Sequence, residues 1–269
     1  MKIGQLRPAA NKNQAIFLCA SLTDESERQR SFSNNFRDKS LFRFVDSVDG
    51  RGWSDSEANA YVSEEMRLLR ERERLKGKLW INPAAIACAL THRDKLLAEA
   101  EESNVILCED DVLLNRDFIE LWSENEIRET FSKLDSVVLF HYISQSLITT
   151  STPSVAKFGK YRIFKLDEAL HVTSGACYYA PPLIAKNIRA HQTPIRISAD
   201  NWLEMKNNGV FSHIYVVHPS PVQIAGMASN IGYGSAWKSN ALWVVMARRL
   251  KRLIQRRRQN IHEKLIVRR

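Results

Sequence analysis

Glycine is scarce in this chain, with 10 in 269 residues, and proline (8) and cysteine (4) are scarcer still. That composition excludes collagen-like and low-complexity chains, and leaves too few cysteines for a disulfide scaffold. No apolar run is long enough to span a bilayer, so no transmembrane helix is expected. The opening residues, Met1-Lys-Ile-Gly-Gln-Leu-Arg-Pro8, hold no apolar stretch, so no secretory signal is expected either. Cys-x-x-Cys is absent, which argues against a zinc ribbon or a thioredoxin-like site. Cys19, Cys88, Cys108 and Cys177 lie tens of residues apart in apolar surroundings and read as buried thiols of a reducing compartment. Neither Gly-x-x-x-x-Gly-Lys nor Gly-x-Gly-x-x-Gly occurs, which weakens nucleoside-triphosphate chemistry.

What is present suits a folded enzyme-sized body. The chain is 44% hydrophobic and 26% charged, ordinary values for one large or two small domains. Its net charge of +9 is not spread evenly. Of 39 basic and 30 acidic residues, ten and one respectively fall in 248–269, leaving 29 of each in the rest. A basic chain invites a nucleic-acid hypothesis. Here the body is neutral and the charge belongs to the tail, so nucleic acid is not the expected partner.

Ala15-Ile-Phe-Leu-Cys19 is a short continuous apolar run of the kind that forms a strand buried on both faces. A polar stretch follows that opens a helix, with Thr23 or Asp24 as its cap. Leu41-Phe-Arg-Phe-Val45 reads as a second strand, ending at the turn signal Asp49-Gly50. Residues 54–80 have the composition of a charged helix that stops near Gly77. Asn82-Pro83 predicts the start of another, with Ile86, Ala89, Leu90, Leu97 and Ala100 on its packed face and His92 off it. Further strands are expected at Asn104–Cys108, Val137–Phe140 and His213–Val217, with an irregular loop at 144–154. Strand and helix alternate, so the fold class is α/β.

Glu109-Asp110-Asp111 follows the third strand directly. Three adjacent like charges repel, and a sheet edge offers them no natural partner. A divalent cation resolves the repulsion, because hard cations bind carboxylate oxygens and bring phosphate with them. Ligands of open α/β sheets also bind beyond the carboxyl ends of strands. A solvated turn capping the next helix is the simpler alternative.

Six ordered segments together resemble glycosyltransferase family 25, the lipooligosaccharide galactosyltransferase family. They are Ile16-Phe-Leu with Glu27-Arg28; Val48-Asp-Gly-Arg51; Ile86-Ala-Cys-Ala-Leu-Thr-His92; Val105-Ile-Leu-Cys-Glu-Asp-Asp-Val112; Ile197-Ser-Ala-Asp-Asn-Trp202; and Tyr215-Val-Val-His-Pro-Ser-Pro-Val222. The resemblance spans about residues 15–230. It implies a GT-A-like nucleotide-sugar-binding fold with a mixed central sheet, Mn²⁺ or Mg²⁺, and transfer of a hexose, usually galactose from UDP-galactose. The implied acceptor is a sugar hydroxyl of a lipopolysaccharide or lipooligosaccharide. Two places depart from the family pattern: Ala20-Ser21-Leu22 replaces Asn-Leu-Asp, and Ser174-Gly175 replaces Gly-Thr.

Transfer from a nucleotide sugar needs a neutralised diphosphate, a base for the attacking hydroxyl, and stabilisation of an oxocarbenium-like carbon. Asp111 is the first choice of metal ligand, and Asp110 is placed to assist the metal or hold the ribose. Glu109 orients both, and His218, after a strand, either offers an imidazole to the metal or is a surface or loop residue before Pro219. Arg28 and Arg30 follow the first strand and are candidates to meet the nucleotide, with a solvated helix face the alternative for one of the two. Asp200, an isolated carboxylate between apolar and aromatic neighbours, is the candidate base; capping the next helix is its alternative role. Trp202 is a stacking face or a core residue, and His92 makes a structural hydrogen bond.

From about residue 236 the composition changes, which divides the chain into a catalytic domain (1–235) and a basic tail (236–269). Leu242, Val245, Met246, Leu250, Leu253 and Ile254 fall at offsets of 3, 4, 8, 11 and 12, one face of a helix. Trp243 joins that face, while Arg248, Lys251 and Arg252 lie opposite. A basic amphipathic helix of this kind suits an anionic membrane, and residues 241–269 are expected to hold the enzyme peripherally on the cytoplasmic face. Docking on the body and nucleic-acid binding are the rival uses of the tail. A metal-dependent phosphoryl-transfer enzyme is the rival for the acidic cluster.

Overall fold

The computed structural model describes residues 15–76, 81–144, 148–169 and 171–227; the tail from 236 and its expected helix lie outside them. Eleven strands are found among the described residues: β1 (Phe17–Ser21), β2 (Phe42–Asp46), β3 (Ile106–Glu109), β4 (Val112–Leu114), β5 (Val137–Leu139), β6 (Thr149–Thr150), β7 (Ala156–Phe158), β8 (Tyr161–Glu168), β9 (Cys177–Tyr179), β10 (Ile214–His218) and β11 (Val222–Ile224). The central sheet runs β2-β1-β3-β9-β5-β10-β8-β6, with β7 hydrogen-bonded to β8. β1 is parallel to β2 and β3, β5 is parallel to β10, and β9 is antiparallel to both β3 and β5. The carboxyl ends of β1, β2, β3, β5 and β10 therefore share one edge with the start of β9. β4 and β11 form a separate antiparallel pair beside that edge.

The helices are α1 (Ser26–Ser33), α2 (Asp55–Asn59), α3 (Glu64–Leu75), α4 (Pro83–Thr91), α5 (Leu97–Ala100), α6 (Arg116–Trp122), α7 (Asn125–Ser132), α8 (Pro182–His191) and α9 (Trp202–Asn207), with a π turn at His92–Leu96 between α4 and α5. They form a layer on each face of the sheet. Side chains alternate along a strand, so Phe17 and Cys19 enter one core while Leu18 and Ala20 enter the other. The first core packs Phe32, Phe118, Trp122 and Phe131 from α1, α6 and α7 against the sheet. The second packs Leu96, Leu97, Ile184, Ile188, Trp202 and Met205 from the π turn, α5, α8 and α9. A mixed sheet between two helical layers is the architecture that the resemblance implies.

Local differences from the sequence expectations have identifiable causes. The single helix expected over 54–80 is two, because each half brings its own cap. Ser54 accepts from Glu57 N–H in a capping box, and Ser63 accepts from Met66 N–H. Helix α1 begins later than expected, at Ser26, with Glu25 at the cap position making no side-chain cap bond. Asn82 does cap α4, accepting from Ala85 N–H with Pro83 in the first turn. No helix among the described residues is long and apolar enough to cross a membrane.

Candidate active site

The three acids sit at the shared edge, where β3 ends at Glu109 and turns through Asp110 and Asp111 into β4. Asp110 is buried and fully engaged. Its Oδ2 accepts from Ser21 Oγ at 2.6 Å, and its Oδ1 accepts from Arg28 Nε and Nη2, both at 2.6 Å. Ser21 reaches it because β1 lies beside β3 and ends at that hydroxyl. Arg28 comes from α1, where it is buried against the acids instead of pointing to solvent. Its Nη2 also lies 3.3 Å from Asp111 Oδ2.

Asp111 is the unsatisfied member. Its Oδ1 is buried without a hydrogen-bond partner. Burial pushes its pKa up to about 6, repulsion from Glu109 and Asp110 adds to the rise, and Arg28 opposes it. A free carboxylate oxygen in excess negative charge is a site for a cation. The backbone beside it is fixed, with Ala225 N–H donating to Asp111 carbonyl oxygen at 2.7 Å as β11 pairs with β4.

Glu109 faces the helical side of the site. His92, the first residue of the π turn, places Nε2 3.4 Å from Glu109 Oε1 and Nδ1 3.0 Å from Tyr178 Oη. The imidazole lies nearly parallel to the Tyr178 ring, 17° apart in plane. The structural hydrogen bond expected of His92 is therefore present, and its other nitrogen turns toward the acids.

Asp200 enters through the segment before β9. Ser174 N–H donates to Asp200 Oδ2 at 3.2 Å, and Trp202 Nε1 donates to Ser174 carbonyl oxygen at 3.0 Å. Ser174 holds φ at +112°, a conformation that only glycine adopts freely. Burial raises the Asp200 pKa and Glu109 raises it further; the bonds from Ser174 and Ser198 and the charge of His92 lower it. Asp200 does not cap α9: Asn201 does, accepting from Glu204 N–H. Trp202 is buried in the core against Tyr178, with ring centroids 4.9 Å apart.

The remaining candidates stand further out. Arg30 is exposed on α1. His218 ends β10, on the same sheet edge as the acids. One residue was missed from the sequence: His141, just beyond β5, whose Nδ1 lies 2.8 Å from Ser174 Oγ. Burial lowers its pKa, with Glu109 acting in the opposite direction. The signal was available, since His141 follows the apolar run Val137–Phe140 as the acids follow Val105–Cys108.

Taken together, the edge offers a half-buried carboxylate with an unbonded oxygen, a second half-buried carboxylate, and two imidazoles nearby. That is equipment for binding an anion through a cation and for moving a proton. No curated protein matches the chain. The family model of glycosyltransferase family 25 (LPS biosynthesis protein) matches residues 14–203. This stretch runs from the start of β1 into α9 and contains the acids, His92, His141, Ser174 and Asp200. The chain belongs to glycosyltransferase family 25.

Proposed function

We propose that the chain transfers a hexose, galactose from UDP-galactose, to a sugar hydroxyl of a lipopolysaccharide or lipooligosaccharide acceptor. The observation behind this reading is the Asp111 carboxylate, buried among like charges with one oxygen unbonded. Its chemistry fits a hard divalent cation, which commonly takes one or two carboxylates and completes its shell with phosphate and water. Asp111 would hold Mn²⁺ or Mg²⁺, with His218 a further candidate ligand, while Asp110, expected from the sequence to assist the metal, has both oxygens taken by Ser21 and Arg28; bound there, the cation supplies Lewis-acid neutralisation of the leaving diphosphate.

The chain's own residues then divide the work. Arg28 and Ser21 fix Asp110, so the turn presents Asp111 in one orientation. Glu109 keeps the local potential negative, and Arg30 is exposed and free to meet the nucleotide. Asp200 accepts the proton of the acceptor hydroxyl; a carboxylate whose pKa is raised by desolvation is a better base than a freely solvated one. Ser174 N–H and the Trp202–Ser174 bond hold that carboxylate in position. The basic segment 241–269 attaches the enzyme to an anionic cytoplasmic membrane surface, where a lipid-linked acceptor is presented.

A ligand of the native state raises its melting temperature, so UDP with Mn²⁺ is expected to stabilise the protein where ATP or a DNA duplex does not. A panel of UDP-sugars, assayed for UDP release, then identifies the donor. Stabilisation by DNA alone would replace this reading with nucleic-acid binding.

A further inference from the structure

Cys88 and His92 stand four residues apart, so α4 presents both on one face where it enters the π turn. Glu109 meets them from the end of β3. The ligand atoms of the three side chains lie within 4.8 Å of one another. None of these residues acts as a metal ligand in the function proposed above, which uses Asp111.

His92 Nε2 is a buried polar atom with no hydrogen-bond partner among the described residues. Its 3.4 Å approach to Glu109 Oε1 does not complete a hydrogen bond. An orphaned buried nitrogen carries an uncompensated desolvation cost, so a bound group that satisfied it would be retained. Nδ1 is anchored on Tyr178 Oη at 3.0 Å, the outer hydrogen bond that orients a ligating imidazole. Space is also kept open. A Cβ on Gly175 would stand 3.0 Å from His92 Cε1, 3.1 Å from Glu109 Oε1 and 3.4 Å from His92 Nε2.

We propose that Cys88, His92 and Glu109 form a binding site for a zinc-type divalent cation, separate from the Asp111 carboxylate. The donor set of one sulfur, one nitrogen and one oxygen selects a borderline-soft ion, not Mg²⁺ or Mn²⁺. Three protein ligands leave a fourth position for water or an incoming group, as in reactive and regulatory zinc sites. Binding forms a bond from Cys88 Sγ to the metal and releases the thiol proton to solvent; nothing is oxidised.

The test uses Co²⁺ added to the full chain without nucleotide, a measurement that does not depend on transferase activity. The expected result is a near-ultraviolet cysteinate-to-cobalt charge-transfer band that saturates at one equivalent and is displaced by Zn²⁺. Cys88→Ser should lose the band, His92→Gln should weaken cobalt binding by ~10-fold or more, and Asp111→Asn should keep the band. Absence of the band in the wild type at saturating cobalt would overturn the proposal whatever the variants do. So would an undiminished band in Cys88→Ser.

Discussion

At Ser174 two opposing effects have known sizes. Replacing glycine by alanine normally stabilises an ordered segment by about 0.5–1 kcal/mol through the unfolded chain. A non-glycine residue held at φ +112° costs on the order of 1–3 kcal/mol. Both Ser174→Gly and Ser174→Ala lose the hydroxyl contacts to His141 and Ala176, so their comparison isolates the backbone. Strain outweighs the entropy of the unfolded chain, and Ser174→Gly should be more stable than Ser174→Ala by about 1 kcal/mol. Equal stabilities in urea would show that the backbone relaxes. Asp111 gives a second test, through pH. Its folded pKa of about 6 exceeds the ordinary 3.8, so the folded state holds the proton more tightly than the unfolded chain. Its contribution is therefore most favourable below about pH 4 and is lost as pH rises through 6. In chelator, Asp111→Asn should gain on the wild type by on the order of 2 kcal/mol between pH 4 and pH 7. Mn²⁺ at pH 7 should restore the wild type and leave the variant unmoved. A pH-independent difference between the two proteins would mean that Arg28 already compensates the charge.

Elements were legible where the sequence repeats a simple period. β1, β3, β5 and β10 are continuous apolar runs because helices cover both of their faces. Asn82-Pro83 gave α4 its start, and the strand–acid–acid–acid pattern gave the turn that holds Asp111. β8 was missed because one edge-side strand mixes Arg162 and Lys165 with buried Tyr161, Ile163 and Leu166. β9 was missed because three residues are too short for any period, yet it sits between β3 and β5 and delivers Ser174 to the site. The contact between Asp200 and Ser174 spans 26 residues and follows only from that antiparallel insertion. Gly50 shows the same dependence on tertiary approach. A Cβ there would stand 2.6 Å from Ala87 Cβ and 2.7 Å from Pro83 carbonyl oxygen, so the loop after β2 is pressed onto α4. Gly50→Ala should cost about 1–3 kcal/mol, the scale of overpacking, and lower the urea midpoint with an unchanged slope. A neutral effect would mean that the loop lifts away from α4 without cost.

Across the whole molecule, a neutral body carries the family-25 fold and a basic segment carries all of the net charge. If the tail is a membrane anchor, removing residues beyond 238 should leave donor hydrolysis intact and abolish binding to anionic vesicles at low salt. Each basic residue near such a surface contributes about 1 kcal/mol, so ten of them leave a large and salt-sensitive signal to lose. Equal vesicle binding by truncated and full-length protein would assign the charge to another partner. The proposed proton transfer at Asp200 is separable from the proposed donor binding at Asp111. The direct measurement is the rate of UDP release by Asp200→Asn at saturating UDP-galactose and Mn²⁺, with UDP binding measured alongside. The predicted result is unchanged UDP binding with turnover reduced ~10²-fold or more, the scale of a lost general base. Wild-type turnover in that variant would contradict the assignment.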